Sequence, residues 1–190
     1  MIIFLVAPGG RRKVRLMKIK GVVTLAAIIV LSRWPAGAQI YDTNNVFVQT
    51  FAGSGFSGYL DGQGTQTMFN APMAIVTDTS GNLFVIDYGN PVRIRKISPN
   101  ATVTTFAGGG PSGLPGYGTN VMLPAAIAMT IDHSNILYLM DYYGSMMRIG
   151  VDGYAATIPL SGLNAGPVSG LCVDSGNNVY ISAANKIWRY

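Results

Sequence analysis

The chain has 190 residues, 49% of them hydrophobic and 11% charged, with 24 glycines. This composition excludes an intrinsically disordered segment and points to a turn-rich folded protein. The formal charge of +5 is unevenly placed: seven of the thirteen basic residues precede Gln39, while all eight acidic residues follow it and all are aspartate. From Gln39 onward six basic residues face eight aspartates, a balance of −2. That excludes the clustered Lys/Arg surface on which nucleic-acid binding rests.

The first sixteen residues carry a short apolar patch and Arg11-Arg12-Lys13, and read as an over-long start. Residues 17–38 read as a secretory signal peptide. Met17–Lys20 is a basic n-region, Gly21–Leu31 an apolar run, and Ala36-Gly37-Ala38 the cleavage site. The run is eleven residues long, short of the ~20 that a spanning helix needs. The expectation is a secreted or periplasmic protein cleaved after Ala38, with no stable membrane span. Residues 39–45 form a polar lead-in.

Repeat units occupy residues 46–190, about 46–107, 108–160 and 161–190. Val46–Ala52 (VFVQTFA) reads as a strand and matches the later Val103–Ala107 (VTTFA). A Gly-rich loop, 53–67, follows and returns at 108–120. Ala71–Ala107 is the clearest unit, with strands predicted at Ala74–Asp78, Leu83–Asp87, Arg93–Ile97 and Val103–Ala107. Thr79–Asn82, Gly89–Pro91 and Pro99-Asn100 are the turns between them. Leu83–Ile86 is apolar at every position, so both faces of its sheet are expected to be covered. The second unit has strands at Ala126–Asp132, Ile136–Asp141, Met146–Ile149 and Ala155–Leu160. The third has Ser169–Asp174, Asn178–Ser182 and Lys186–Tyr190. Pro72, Pro124 and Pro167 are 52 and 43 residues apart. Periods of ~40–50 residues with four strands each are those of propeller blades.

Three segments of the first unit carry a resemblance: Phe69–Asp78 (FNAPMAIVTD), Ser80–Asp87 (SGNLFVID) and Arg93–Ile97 (RIRKI). Together with Thr105–Gly108 and Asp61–Gly64, they resemble the NHL repeat as found in bacterial secreted proteins. The likeness covers about Val46–Tyr190. The second unit departs from it at His133-Ser134-Asn135, which lacks the turn glycine, and the third has Ala183 in place of Asp87 and Asp141. The resemblance implies an all-β fold of four-stranded antiparallel propeller blades, in which the first strand of each blade lines a central channel. It also implies diverse functions, among them protein binding, RNA binding, sensor ectodomains and a zinc-dependent lyase. About three blades are present where propellers have 4–8, so an incomplete propeller is expected. A truncated piece of a longer chain, a dimer that assembles a ring, or unusually tight closure would each account for it.

Candidate sites are few. Asp78, Asp132 and Asp174 close the first strand of each unit and read as caps on the turns that follow, with a cation-binding carboxylate ring as the rival reading. Asp87 and Asp141 read the same way. His133 is the only histidine and the chain has no glutamate. A histidine-rich catalytic zinc site is therefore out of reach, and no G-x-S-x-G motif accompanies His133. No catalytic residue, metal ligand or cofactor is assigned. Cys172, the lone cysteine, reads as a small buried hydrophobe in a strand. Ile94/Ile97, Met146/Ile149 and Ile187/Tyr190 recur at a spacing of three, which suggests a bulge in the third strands. Their neighbours Lys96, Arg148 and Arg189 read as solvated. Phe56, Tyr59 and Tyr117 lie on the Gly-rich loops. They either contact a sugar or peptide or tuck under the loop as its own core, and the second is favoured.

The functional expectation is an exported, non-enzymatic binding or scaffolding module. A protein, peptide or glycan is its partner, with homodimerisation possible if the chain is complete. The alternative is the N-terminal fragment of a larger exported propeller enzyme or sensor whose functional residues lie beyond Tyr190.

Overall fold

Short apolar runs punctuated by turn residues fold as antiparallel meanders, and the chain contains three of them in succession. The computed structural model describes residues 48–161 and 167–190. The expected leader (1–38), the lead-in (39–45), Val46, Phe47 and residues 162–166 lie outside the described residues.

The first sheet has β1 (Gly62–Gln63), β2 (Pro72–Thr77), β3 (Leu83–Asp87), β4 (Arg93–Ile97) and β5 (Thr102–Gly108), in spatial order β1-β5-β4-β3-β2. The second has β6 (Gly116–Tyr117), β7 (Ala126–Ile131), β8 (Leu137–Asp141), β9 (Met146–Ile149) and β10 (Tyr154–Ile158), in the same order, β6-β10-β9-β8-β7. The third has β11 (Val168–Val173), β12 (Val179–Ala183) and β13 (Lys186–Arg189), paired in sequence. All named strand pairs are antiparallel. These are propeller-type blades, three in number and not closed into a ring among the described residues. No helix there is long and apolar enough to cross a membrane.

The predicted strands after residue 70 all form, with ends shifted by a residue or two. The Gly-rich loops do more than the sequence suggested. Each runs along the outside of its blade, adds a two-residue fifth strand there, and ends in a single 3-10 turn, Gly64–Gln66 or Gly118–Asn120.

Three expectations are corrected. Residues 48–52 of the predicted strand Val46–Ala52 are not a strand. The outer edge of the first sheet is already taken by β5 and β1, so this segment finds no edge on that sheet. The spacing of three in the third strands is not generally a bulge. In β9 the pairing with β8 and β10 runs without a register shift, and a shift occurs only between β4 and β5. Residues three apart on a strand point to opposite faces, and both faces are buried: Met146 packs toward the third sheet while Ile149 packs toward the first. Cys172 is exposed rather than buried. It lies on the face of β11 that points away from the second sheet, which no other sheet among the described residues covers.

The core sits between the blades. Phe84, Ile86 and Ile94 of the first sheet meet Leu137, Leu139 and Met147 of the second. Met140 and Met146 then meet Val179 and Ile181 of the third. Burial of apolar area between sheets, at roughly 25 cal/mol per Å², is what holds successive blades together. Leu139→Ala, at a fully buried position between two sheets, should therefore cost about 2–5 kcal/mol. Val151→Ala, in the exposed turn between β9 and β10, should stay within roughly 0.5 kcal/mol of the parent. Urea unfolding of the two variants measures both.

Candidate functional site

The carboxylates locate most of the polar chemistry. Asp78 Oδ1 accepts the backbone N–H groups of Ser80 and Asn82. Asp132 repeats this with Ser134 and Ile136, and Asp174 with Gly176 and Asn178. Each caps the turn that follows, as the sequence indicated, and the three do not gather into a carboxylate ring. Asp141 caps its own turn through the amides of Tyr143 and Ser145, and Asp152 accepts from Tyr154. Donation from the Asn178 side chain and backbone holds the Asp174 carboxyl below the usual aspartate range. At Asp78 burial pushes the other way, but the donors from Asn82 and Ser80 prevail and the value is again lowered.

Asp87 departs from the expected turn cap. It is fully buried, accepts the Asn70 N–H, and pairs with Arg95 at 2.9 Å. Burial pushes its carboxyl upward against the pull of the Asn70 amide and Arg95. Arg95 is itself fully buried and forks between Asp87 and Asp61, the second at 2.8 Å. It also donates to the carbonyls of Met68 and Leu60. Asp61 in turn accepts the Thr105 N–H. One guanidinium thus ties β3 and β4 to the Gly-rich loop and, through Asp61, to β5. Sequence reading missed this cluster. The available signal was the paired position in the second blade, where Met147 stands opposite Leu139 as Arg95 stands opposite Val85.

The loop aromatics are dispersed. Phe56 is 73% exposed. Tyr59 lies under the Arg93 guanidinium, 3.7 Å from the ring centroid, and its hydroxyl accepts from the Asn70 amide. Tyr117 belongs to β6, on the outer flank of the second blade, where its ring meets Tyr154 at 4.8 Å. Two aromatics that the sequence reading passed over as turn residues are more prominent. Tyr142 and Tyr143 form the turn between β8 and β9, their rings packed edge to face at 5.5 Å, and Tyr143 is 83% exposed. The corresponding turn of the first blade holds Tyr88 and Gly89. The Gly89 N–H bonds to the carbonyl of Asn70, beside the strip carrying Phe56 and Tyr59. Phe56, Tyr59, Tyr88, Tyr142 and Tyr143 therefore share one end of the blades.

Successive blades also join through their first turns at the opposite end. Asn135 Oδ1 accepts from the N–H and hydroxyl of Thr79. Asn177 Oδ1 accepts the His133 N–H and lies 3.0 Å from its ring Nδ1. Asn135 and Asn177 both have φ of +62°, a conformation that asparagine tolerates better than most residues. A cleft of about 180 Å³ lies between the first two of these turns, bordered by Asp78, Asp132 and His133. Among the described residues no group of three His, Cys, Asp or Glu could hold a metal ion. A larger groove of about 340 Å³ lies on the outward face of the first sheet, lined by Phe51, Phe69, Met73, Ile75 and Val85.

No protein-family model and no curated protein matches the sequence. Solved structures do. A virginiamycin B lyase from Staphylococcus aureus matches with 17% identity and a TM-score of 0.47, over 63% of this chain and 38% of that one. A structural-genomics protein from Bacteroides thetaiotaomicron matches with 16% identity and a TM-score of 0.43, over 74% and 46%. A streptogramin B lyase matches with 14% identity and a TM-score of 0.36, over 64% and 54%. The chain thus spans less than two thirds of each of these proteins. Its own three blades define it as propeller-type.

Arg95→Met should cost about 3–5 kcal/mol, because it strands the buried Asp87 carboxylate. Adding Asp87→Asn should recover a substantial part of that loss in denaturant unfolding. Acid titration checks the turn caps. A lowered carboxylate pKa stabilises the fold above the ordinary aspartate value of 3.8, and that stability is lost as pH falls through the folded-state value. Asp174→Asn should accordingly flatten the decline of Tm below about pH 4.

Proposed function

We propose that this chain is an exported, non-enzymatic binding module of NHL-type repeats, and that it takes a glycan or peptide at the aromatic end of its blades. The observation that carries the reading is the state of the carboxylates. All seven described aspartates are hydrogen-bonded into the fold: five cap turns, and Asp61 and Asp87 neutralise Arg95. With no glutamate and one histidine in the sequence, no carboxylate among the described residues is left without a structural partner for general acid–base work. Exposed aromatic rings, by contrast, supply large contact area at low entropic cost. Phe56, Tyr142 and Tyr143 offer such faces at one end of adjacent blades.

Export follows from the leader, with loss of residues 1–38. N-terminal sequencing of protein recovered from periplasm or medium should begin at Gln39, and recovery from cytosol with residues 17–38 intact would refute export. A glycan array combined with a peptide pull-down should yield a ligand whose affinity drops about fivefold in Tyr143→Ala, the equivalent of ~1 kcal/mol of aromatic contact. An unchanged affinity would move the binding site away from this end. A second reading is an N-terminal piece of a larger exported propeller enzyme or sensor. The apolar groove on the first sheet supports it, because the last blade of a closed ring would fill that groove. An in-frame continuation carrying further repeats and a catalytic or kinase domain would replace the first reading with this one.

A further inference from the structure

We infer that residues 48–52 of one copy complete the third blade of a second copy, pairing with the free edge of β13, and that two such exchanges join two chains into a ring of six blades. The inference is independent of the ligand-binding reading above, and it competes with the second reading, in which further repeats would occupy the edge of β13. It starts from three matched positions in the third strands. Ile94 of β4 and Met146 of β9 are 0% and 1% exposed, each covered by the next blade and flanked by a fourth strand. Their counterpart in β13, Ile187, is 71% exposed. The third sheet ends at β13, whose outer edge has no partner among the described residues. An unpaired edge presents a row of free N–H and C=O groups to any matching strand.

The chain carries a matching strand without a sheet. Val48–Gly53 reads VQTFAG, and Val103–Gly108, which is β5 without its first residue, reads VTTFAG. In β5, Val103 is fully buried, whereas Val48 is 93% exposed. Ala52 already packs on the Val85, Ile97 and Val103 cluster of the first sheet, just as Ala107 packs in the core between the first two sheets. Residues 48–52 therefore stand where the fourth strand of a preceding blade belongs. The β4–β5 register fixes the pairing: Ile94 with Ala107, Arg95 with Thr105, Lys96 with Thr104, Ile97 with Val103. Carried over, Ile187 sits opposite Ala52, Trp188 opposite Thr50, Arg189 opposite Gln49 and Tyr190 opposite Val48. The exchange also brings the open groove of one copy, with Met73 and Ile75, against the uncovered face of the other, with Ile187 and Cys172. That is the same blade-on-blade contact the chain makes twice internally. Six blades fall within the 4–8 typical of closed propellers.

The turn-to-turn bonds test the geometry further. Ser175 stands where Thr79 and His133 stand, directly after the capping aspartate, and Gly81 stands where Asn135 and Asn177 stand. In the ring, Ser175 of one copy faces Gly81 of the other, and the accepting amide is missing. Gly81 has φ of +81°, and an added Cβ would meet only Pro99 Cγ at 3.6 Å. Gly81→Asn therefore supplies the acceptor without crowding.

The experiment uses the full chain in a Cys172→Ser background. Sedimentation should give a two-copy species. Gly81→Asn should tighten it about five- to a hundredfold, the equivalent of one hydrogen bond at each of the two joints, and Ala52→Asp should weaken it by on the order of tenfold or more. Chains carrying Gln49→Cys alone and Arg189→Cys alone, mixed and oxidised, should form a cross-linked pair that neither forms by this route alone. A one-copy mass at every concentration, open-ended larger species, or cross-linking only when both cysteines are on one chain would overturn the proposal.

Discussion

A β-sheet with two apolar faces must be covered on both, and nearly everything in this chain depends on that requirement. Leu83–Ile86 in β3 and Leu137–Met140 in β8 place hydrophobic side chains on alternate faces of their sheets, so each sheet needs a neighbour on either side. Stacking blades meets the need between the first and second sheets and between the second and third. At the two outward faces it is not met by described residues, and there Ile75, Cys172 and Ile187 are exposed although their counterparts in the middle blade are buried or nearly so.

Polar groups are deployed in the service of this stacking. Aspartates at the strand ends tie down the turns, leaving the strands free to be apolar. Asn135 and Asn177 lock each first turn onto the blade before it. The first blade adds a buried guanidinium, Arg95, in place of the methionine that the second blade uses at the same position. Replacing an apolar side chain by a buried ion pair seldom adds stability, but it adds geometry. Arg95 accounts for two carboxylates and two loop carbonyls at once, which together with the β1–β5 pairing fixes the path of the glycine-rich segment. The same segment carries Phe56 and Tyr59 toward the end of the blade.

The sequence by itself determined the class of fold, the strands after residue 70 and the role of four turn aspartates. Those features are local: alternation, Gly/Asn turn clusters and Asx caps are all encoded within a few residues. Tertiary structure decided the rest, because it depends on what lies opposite in space. Asp87 and Asp141 occupy the same place in their repeats, yet one is buried against Arg95 and the other caps a turn. Cys172 is a strand residue either way, and it is exposed because no sheet among the described residues packs on its face of β11. Val48–Ala52 has the sequence of a strand, but a strand exists only where an edge is free to receive it. The aromatic end likewise arises from blades brought side by side: Tyr142 and Tyr143 are 86 and 87 residues from Phe56 in the chain, and the shared end emerges only when both turns are placed on adjacent sheets.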